Sequence, residues 1–149
     1  MPQSFNSVII QYVFGTKHRE PWLTKDVCAR LYPFVGSVLK ERDCKLLTIG
    51  GMPDHMHSLV SMHADWAPAP LMRELKAVTS KWFHNTFGKA AFAWQRGYGA
   101  FSVSISNVKR VTRYIETQEE HHLKKSYREE LVEFLKGHGI SYDERDLDD

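Results

Sequence analysis

His55, Met56 and His57 place two imidazoles one residue apart, while Tyr114 and Gln118 place a phenol and an amide one helical turn apart. On a strand, alternate side chains share a face, so both imidazoles would point one way and Met56 the other. On a helix, residues four apart lie on one face, which would present Tyr114 and Gln118 side by side. If the two faces meet, the result is a metal site with a nucleophile beside it. Neither pattern is specific alone: eight histidines in 149 residues give His-x-His about 0.4 times by chance. Context adds weight. The Pro53-Asp54 turn before the pair and the apolar Leu59 and Val60 after it put both imidazoles at the start of a core strand, where histidine is uncommon.

The elements that must carry these residues alternate between strand and helix. Residues 7–14 are rich in β-branched and aromatic side chains and predict a central strand. Thr24 caps a helix over residues 24–42, with Val27, Leu31, Phe34, Val35, Val38 and Leu39 on its apolar face and Pro33 forcing a kink or a late start. Residues 45–49 and 56–62 form a hairpin, punctuated by Gly50-Gly51-Met52-Pro53-Asp54. A helix opens at Ala67-Pro68-Ala69-Pro70 and runs to about Phe87. Phe101, Val103 and Ile105 alternate with serines as a half-buried strand. Ser106 or Asn107 then caps a helix whose core face is Val108, Val111 and Ile115, flanked by Tyr114 and Gln118. Ser126-Tyr127-Arg128-Glu129 is a capping box for a last helix closed by Gly137, and an acidic tail follows from about residue 141.

A chain of 149 residues with 42% hydrophobic content and no repeats is expected to form one domain over residues 1–149. Cys28 and Cys44 stand in unrelated settings, and no leader is evident, which suggests a reduced, cytoplasmic compartment. No apolar run approaches the ~20 residues needed to span a bilayer, so no membrane partner is expected. Net charge is only +2, but it is sorted along the chain. Residues 70–125 hold ten Lys or Arg against four acids, and residues 126–149 hold three against eight. A basic centre and an acidic end fit a polyanion-binding face with a tail kept off it.

These residues resemble the single-tyrosine transposases of small bacterial and archaeal insertion sequences, including those associated with repeated palindromic elements, within the His-hydrophobic-His endonucleases. The resemblance runs from Phe14-Gly15-Thr16-Lys17-His18-Arg19-Glu20-Pro21, through Met52-Pro53-Asp54-His55-Met56-His57 and Trp94-Gln95-Arg96-Gly97-Tyr98, to the segment from Tyr114 to His122. It implies an α+β fold with a ferredoxin-like antiparallel sheet, a homodimer, and single-stranded DNA hairpins near element ends as substrate. It also implies that His55, His57 and Gln118 are the metal ligands and Tyr114 the nucleophile. Rolling-circle initiators commonly carry Lys where this chain has Gln118, and conjugative relaxases usually place their tyrosine before the histidines.

The chemistry agrees with those implied roles. Two imidazoles and an amide oxygen are neutral, so a bound cation keeps its double charge for a phosphate oxygen. Such donors suit Mg²⁺ or Mn²⁺. Attack by Tyr114 would leave a 5′-phosphotyrosine and a free 3′-hydroxyl, storing the bond energy for rejoining without ATP. A free phenol has a pKa of ~10, so something must take its proton, and no base is evident in the sequence. Candidate phosphate contacts are Lys76, Lys81, Lys89, Arg96, Lys109, Arg110 and Arg113, with Trp82, Tyr98 or Phe92 available to stack on unpaired bases. His63, His121 and His122 are spare candidate ligands. Whether Tyr114 serves its own histidines or a partner's stays open, and the alternative function is a catalytically inactive or domesticated hairpin-binding protein.

Overall fold

The computed structural model describes residues 4–122 and 125–147. The β-branched and aromatic run predicted as a central strand is β1 (Ile9–Gly15), buried along its whole length. It lies between β3 (His55–Ser61) and β4 (Gly99–Ser102), and β2 (Lys45–Met52) borders β3. All three pairings are antiparallel, giving the order β2-β3-β1-β4. With α1 (Lys25–Glu41) between β1 and β2, and α2 (Pro68–Phe87) between β3 and β4, this is the expected ferredoxin-like α+β fold.

Side-chain alternation gives the sheet two covered faces. Ile10, Tyr12, Phe14, Met56 and Val60 pack with Leu31 and Val35 of α1 and Leu71, Leu75 and Phe83 of α2. The opposite face carries His55, His57 and Leu59 of β3. It is covered by α3 (Val108–Glu116), α4 (Gln118–His122) and α5 (Tyr127–Gly137), through Ile115 on Ile9 and Leu59 and through Tyr127 and Leu131 on Val13 and Phe101.

Three local expectations are corrected. Thr24 does cap α1, accepting from the Val27 N–H at 3.3 Å, but the helix runs unbroken through Pro33. Pro33 is exposed, on the solvent side of the helix. Gly50 and Gly51 belong to β2 rather than to the turn, which shrinks to Pro53-Asp54. A Cβ at Gly50 would lie 2.4 Å from the Ile115 carbonyl oxygen, so this glycine lets α3 sit directly on β2 beside His57. The strand expected through Ile105 ends at Ser102, and Ile105 is exposed in a 3-10 turn. The acidic tail packs back on the domain: Leu147 is buried against Val13, Phe101 and Tyr127, and its carbonyl accepts from Arg19 Nη2 at 2.9 Å.

Candidate functional site

β3 presents His55 and His57 from one face, both wholly buried, as the alternation predicts. The helix predicted to carry Tyr114 and Gln118 together is interrupted at Thr117 (φ −108°, ψ 32°), so Tyr114 ends α3 and Gln118 begins α4. Both still reach the histidines. Gln118 Nε2 donates to the Tyr114 carbonyl at 3.2 Å, which turns its Oε1 toward His55 Nε2 at 3.4 Å. The Tyr114 ring meets the His57 ring edge-on, with centroids 5.8 Å apart.

At the centre of the cluster is a residue the sequence did not reveal, Glu130 of α5. Its Oε1 lies 2.8 Å from His57 Nε2 and 3.4 Å from His55 Nε2, and its Oε2 accepts the Tyr114 hydroxyl. Donor atoms of His55, His57 and Glu130 all lie within 4.8 Å of one another, a grouping able to hold a metal ion. Two imidazole nitrogens and a carboxylate oxygen, with Gln118 Oε1 alongside, suit a divalent cation. Glu130 thus stands beside the expected donors His55, His57 and Gln118. An ionised Glu130 would strengthen the hold on a cation and lower the charge left for a substrate. Its signal was the spacing Tyr127, Glu130, Leu131, Phe134: an acid set on the apolar stripe of a helix.

Neighbouring groups fix the cluster's orientation. The Asp54 carboxylate accepts from His55 Nδ1–H at 2.7 Å, so Nε2 faces Glu130 and Gln118. Gln11 Nε2 lies 3.2 Å from His57 Nδ1. Tyr127 stacks on the His55 ring, centroids 4.3 Å apart and planes 6° apart, and its hydroxyl donates to Gln95 Oε1 at 3.2 Å. The same oxygen accepts from Gly15 N–H at 2.6 Å. A Cβ on Gly15 would come within 2.9 Å of the Tyr127 ring, so a second glycine is needed for the site to close.

Electrostatics follow from this packing. Burial opposes a charged His55, but Asp54 and Glu130 outweigh it and raise its pKa above the ordinary 6.5. For Asp54, burial works toward the neutral acid, yet the hydrogen bond and charge of His55 and the nearby Arg19 hold its pKa below the ordinary 3.8. Burial and then the Glu130 bond raise the Tyr114 pKa, so its phenol keeps its proton at neutral pH.

Lys76 donates to the carbonyls of Gln95, Arg96 and Gly97 at 2.8–3.0 Å, making it a clamp on the segment that carries Gln95 rather than an open phosphate contact. Lys81, Lys89, Arg96, Lys109, Arg110 and Arg113 are exposed. Phe92 is buried and stacked on Phe83, and Trp82 stacks on Phe34, so both are packing residues; Tyr98 keeps an exposed edge. His63 Nδ1 accepts from Asp65 N–H in a local turn, and the His121 and His122 side chains lie outside the described residues.

Residues 4–118 match the family model described as Transposase IS200 like. The chain belongs to that family. The match stops at Gln118, so α5 and Glu130 lie outside the matched residues. A solved structure from Deinococcus radiodurans R1, described as a candidate transposase, superposes with a TM-score of 0.63 at 19% identity, covering 79% of this chain and 98% of that one. A tyrosine transposase associated with REP elements, solved bound to a REP hairpin, gives 0.57 at 17% identity, covering 77% and 68%. Both likenesses concern the fold. No curated protein matches the chain significantly. No helix among the described residues is long and apolar enough to cross a membrane.

Proposed function

We propose that this IS200-like transposase cuts and rejoins single-stranded DNA at hairpin-marked element ends, with Tyr114 as nucleophile and a divalent cation, Mg²⁺ or Mn²⁺, held by His55, His57 and Glu130 with Gln118. The observation that carries the proposal is the shared carboxylate: Glu130 meets His57 with one oxygen and the Tyr114 hydroxyl with the other.

A bound cation would polarise a non-bridging phosphate oxygen, an effect worth several kcal/mol in the transition state. The remaining work falls to the chain. Glu130 Oε2 takes the phenol proton as Tyr114 Oη bonds to phosphorus, supplying the base that the sequence left unnamed. The phosphorus–O3′ bond breaks, and the departing oxygen takes a proton from solvent water to leave as a 3′-hydroxyl, while Glu130 keeps the phenol's proton. Attack by another 3′-hydroxyl reverses the step and returns the proton to Tyr114. Asp54 and Tyr127 hold His55 in place meanwhile. Lys81, Lys89, Arg96, Lys109, Arg110 and Arg113 are the proposed phosphate contacts, with Tyr98 as a stacking platform.

The proposal includes the homodimer that the resemblance implies, with each chain using its own Tyr114, acting on DNA in the cytoplasm. Incubating the protein with single-stranded hairpin ends and Mg²⁺, then running a denaturing gel, tests it. A protein–DNA adduct that disappears in Tyr114→Phe and on chelation, while hairpin binding persists, is the expected result. Hairpin binding without any adduct would instead favour an inactive binding protein.

A further inference from the structure

Two separate parts of the fold set where His55 stands, and both converge on one atom. Gly15 is the partner of His55 in the pairing of β1 with β3, and Tyr127 of α5 covers the His55 ring as a near-parallel stack. Gly15 N–H donates to Gln95 Oε1 at 2.6 Å, and the Tyr127 hydroxyl donates to the same oxygen at 3.2 Å. A backbone N–H can only donate, so the first bond fixes which end of the amide faces these groups. Gln95 grips Gly15 a second time through its own backbone N–H, which donates to the Gly15 carbonyl at 2.9 Å. The residue is buried, and its main chain is held in turn by the Lys76 ammonium, which bonds the carbonyls of Gln95, Arg96 and Gly97.

We propose that Gln95 is a positioning residue for strand transfer, fixing His55 through Gly15 and Tyr127. It acts through those two partners rather than on the reacting atoms. Its side-chain oxygen ties the end of β1 to the first turn of α5, so the Tyr127 ring stays over His55 and Glu130, one turn further on, stays between the imidazoles. Without that oxygen two buried donors lose their acceptor, and they regain one only by moving. Movement is costly here, because misplacing a reacting group by about 1 Å can slow a reaction about 10²-fold. Gln95 also sits beside Arg96 and close to Tyr98, the proposed DNA contacts, so one short segment serves both substrate and site.

The inference rests on the strand-transfer reading above, and its test separates the two. Gln95→Met removes both side-chain bonds at similar length, and Tyr127→Phe removes one while keeping the stacked ring. At saturating hairpin DNA and Mn²⁺, single-turnover adduct formation is expected to slow about 10- to 100-fold in Gln95→Met and about fivefold in Tyr127→Phe. The double variant is expected to be no slower than Gln95→Met, within about twofold, because both changes break the same link. Proton NMR of the metal-free protein supplies a readout independent of DNA. The carbon-bound ring protons of His55, shielded by the Tyr127 stack, are expected to move downfield in Gln95→Met. A wild-type rate or an unmoved His55 signal in Gln95→Met, or losses that simply multiply in the double variant, would overturn the role of Gln95. Should Gln95→Met fail to fold, Tyr127→Phe decides alone, and a wild-type rate there overturns the role. If the wild type forms no adduct, strand transfer falls, while the His55 signal still shows whether Gln95 holds the ring.

Discussion

Tyr114 and Glu130, 16 residues apart and on different helices, are joined by a hydrogen bond in which the phenol donates to Oε2 of the carboxylate. The other carboxylate oxygen faces both imidazoles. The proposed nucleophile, base and cation donors are therefore connected within one chain, and α5 closes the connection.

Replacing Glu130 with Gln keeps the side chain's shape and removes its charge. Mn²⁺ affinity is expected to fall by at least about tenfold, and adduct formation at saturating Mn²⁺ by about 10² to 10⁴, the usual range for losing a base. Calorimetry and single-turnover gels measure the two effects separately. Unchanged adduct formation at saturating metal would remove Glu130 as the proton acceptor.

Much of this was legible in the sequence, because it depends on short-range rules. The period of two at His55 and His57, the capping box at Ser126, and the Thr24 cap all appear where expected. Glu130 and Gln11 were missed for a shared reason. Each is a polar residue in an otherwise apolar face, and its meaning depends on contacts 73 and 46 residues away, to His57 in both cases. The two glycines of β2 were misplaced similarly, since a close backbone approach, by α3 at Gly50 and by His55 and Met56 of β3 at Gly51, mimics a turn signal in one dimension.

Gly50→Ala tests that close approach. The added methyl meets the Ile115 carbonyl, part of the helix backbone, so α3 must lift away from β2. A loss of about 1–3 kcal/mol in urea unfolding is expected, together with weaker adduct formation, because Tyr114 moves with α3. A variant of wild-type stability and activity would show that α3 does not need this contact.

Ser58→Ala should have the opposite sign. Among the described residues, the Ser58 hydroxyl is the buried side-chain polar atom lacking a hydrogen-bond partner. Removing an unsatisfied hydroxyl is expected to stabilise the fold by about 1 kcal/mol, read from the urea midpoint, without changing activity.

The Asp54–His55 pair gives stability a pH window. A raised His55 pKa adds stability that is complete below the ordinary 6.5 and fades as pH rises through the folded value. A lowered Asp54 pKa adds stability that is complete above the ordinary 3.8 and fades as pH falls through its folded value. In chelator, the melting temperature should decline as pH rises from about 6 to about 8. Mn²⁺ should reverse that slope, since the cation requires an unprotonated ring. Calorimetric scans of wild type and His55→Gln check this, with the decline expected to flatten in the variant.

The most direct measurement mixes two inactive proteins, Tyr114→Phe and His57→Ala, under conditions that let subunits exchange, and then assays adduct formation on single-stranded hairpin DNA. A site completed within one chain predicts no recovery, because neither chain holds both the nucleophile and the full donor set. Recovery of adduct on the His57→Ala chain, whose Tyr114 would then be serving the partner's donors, would contradict it.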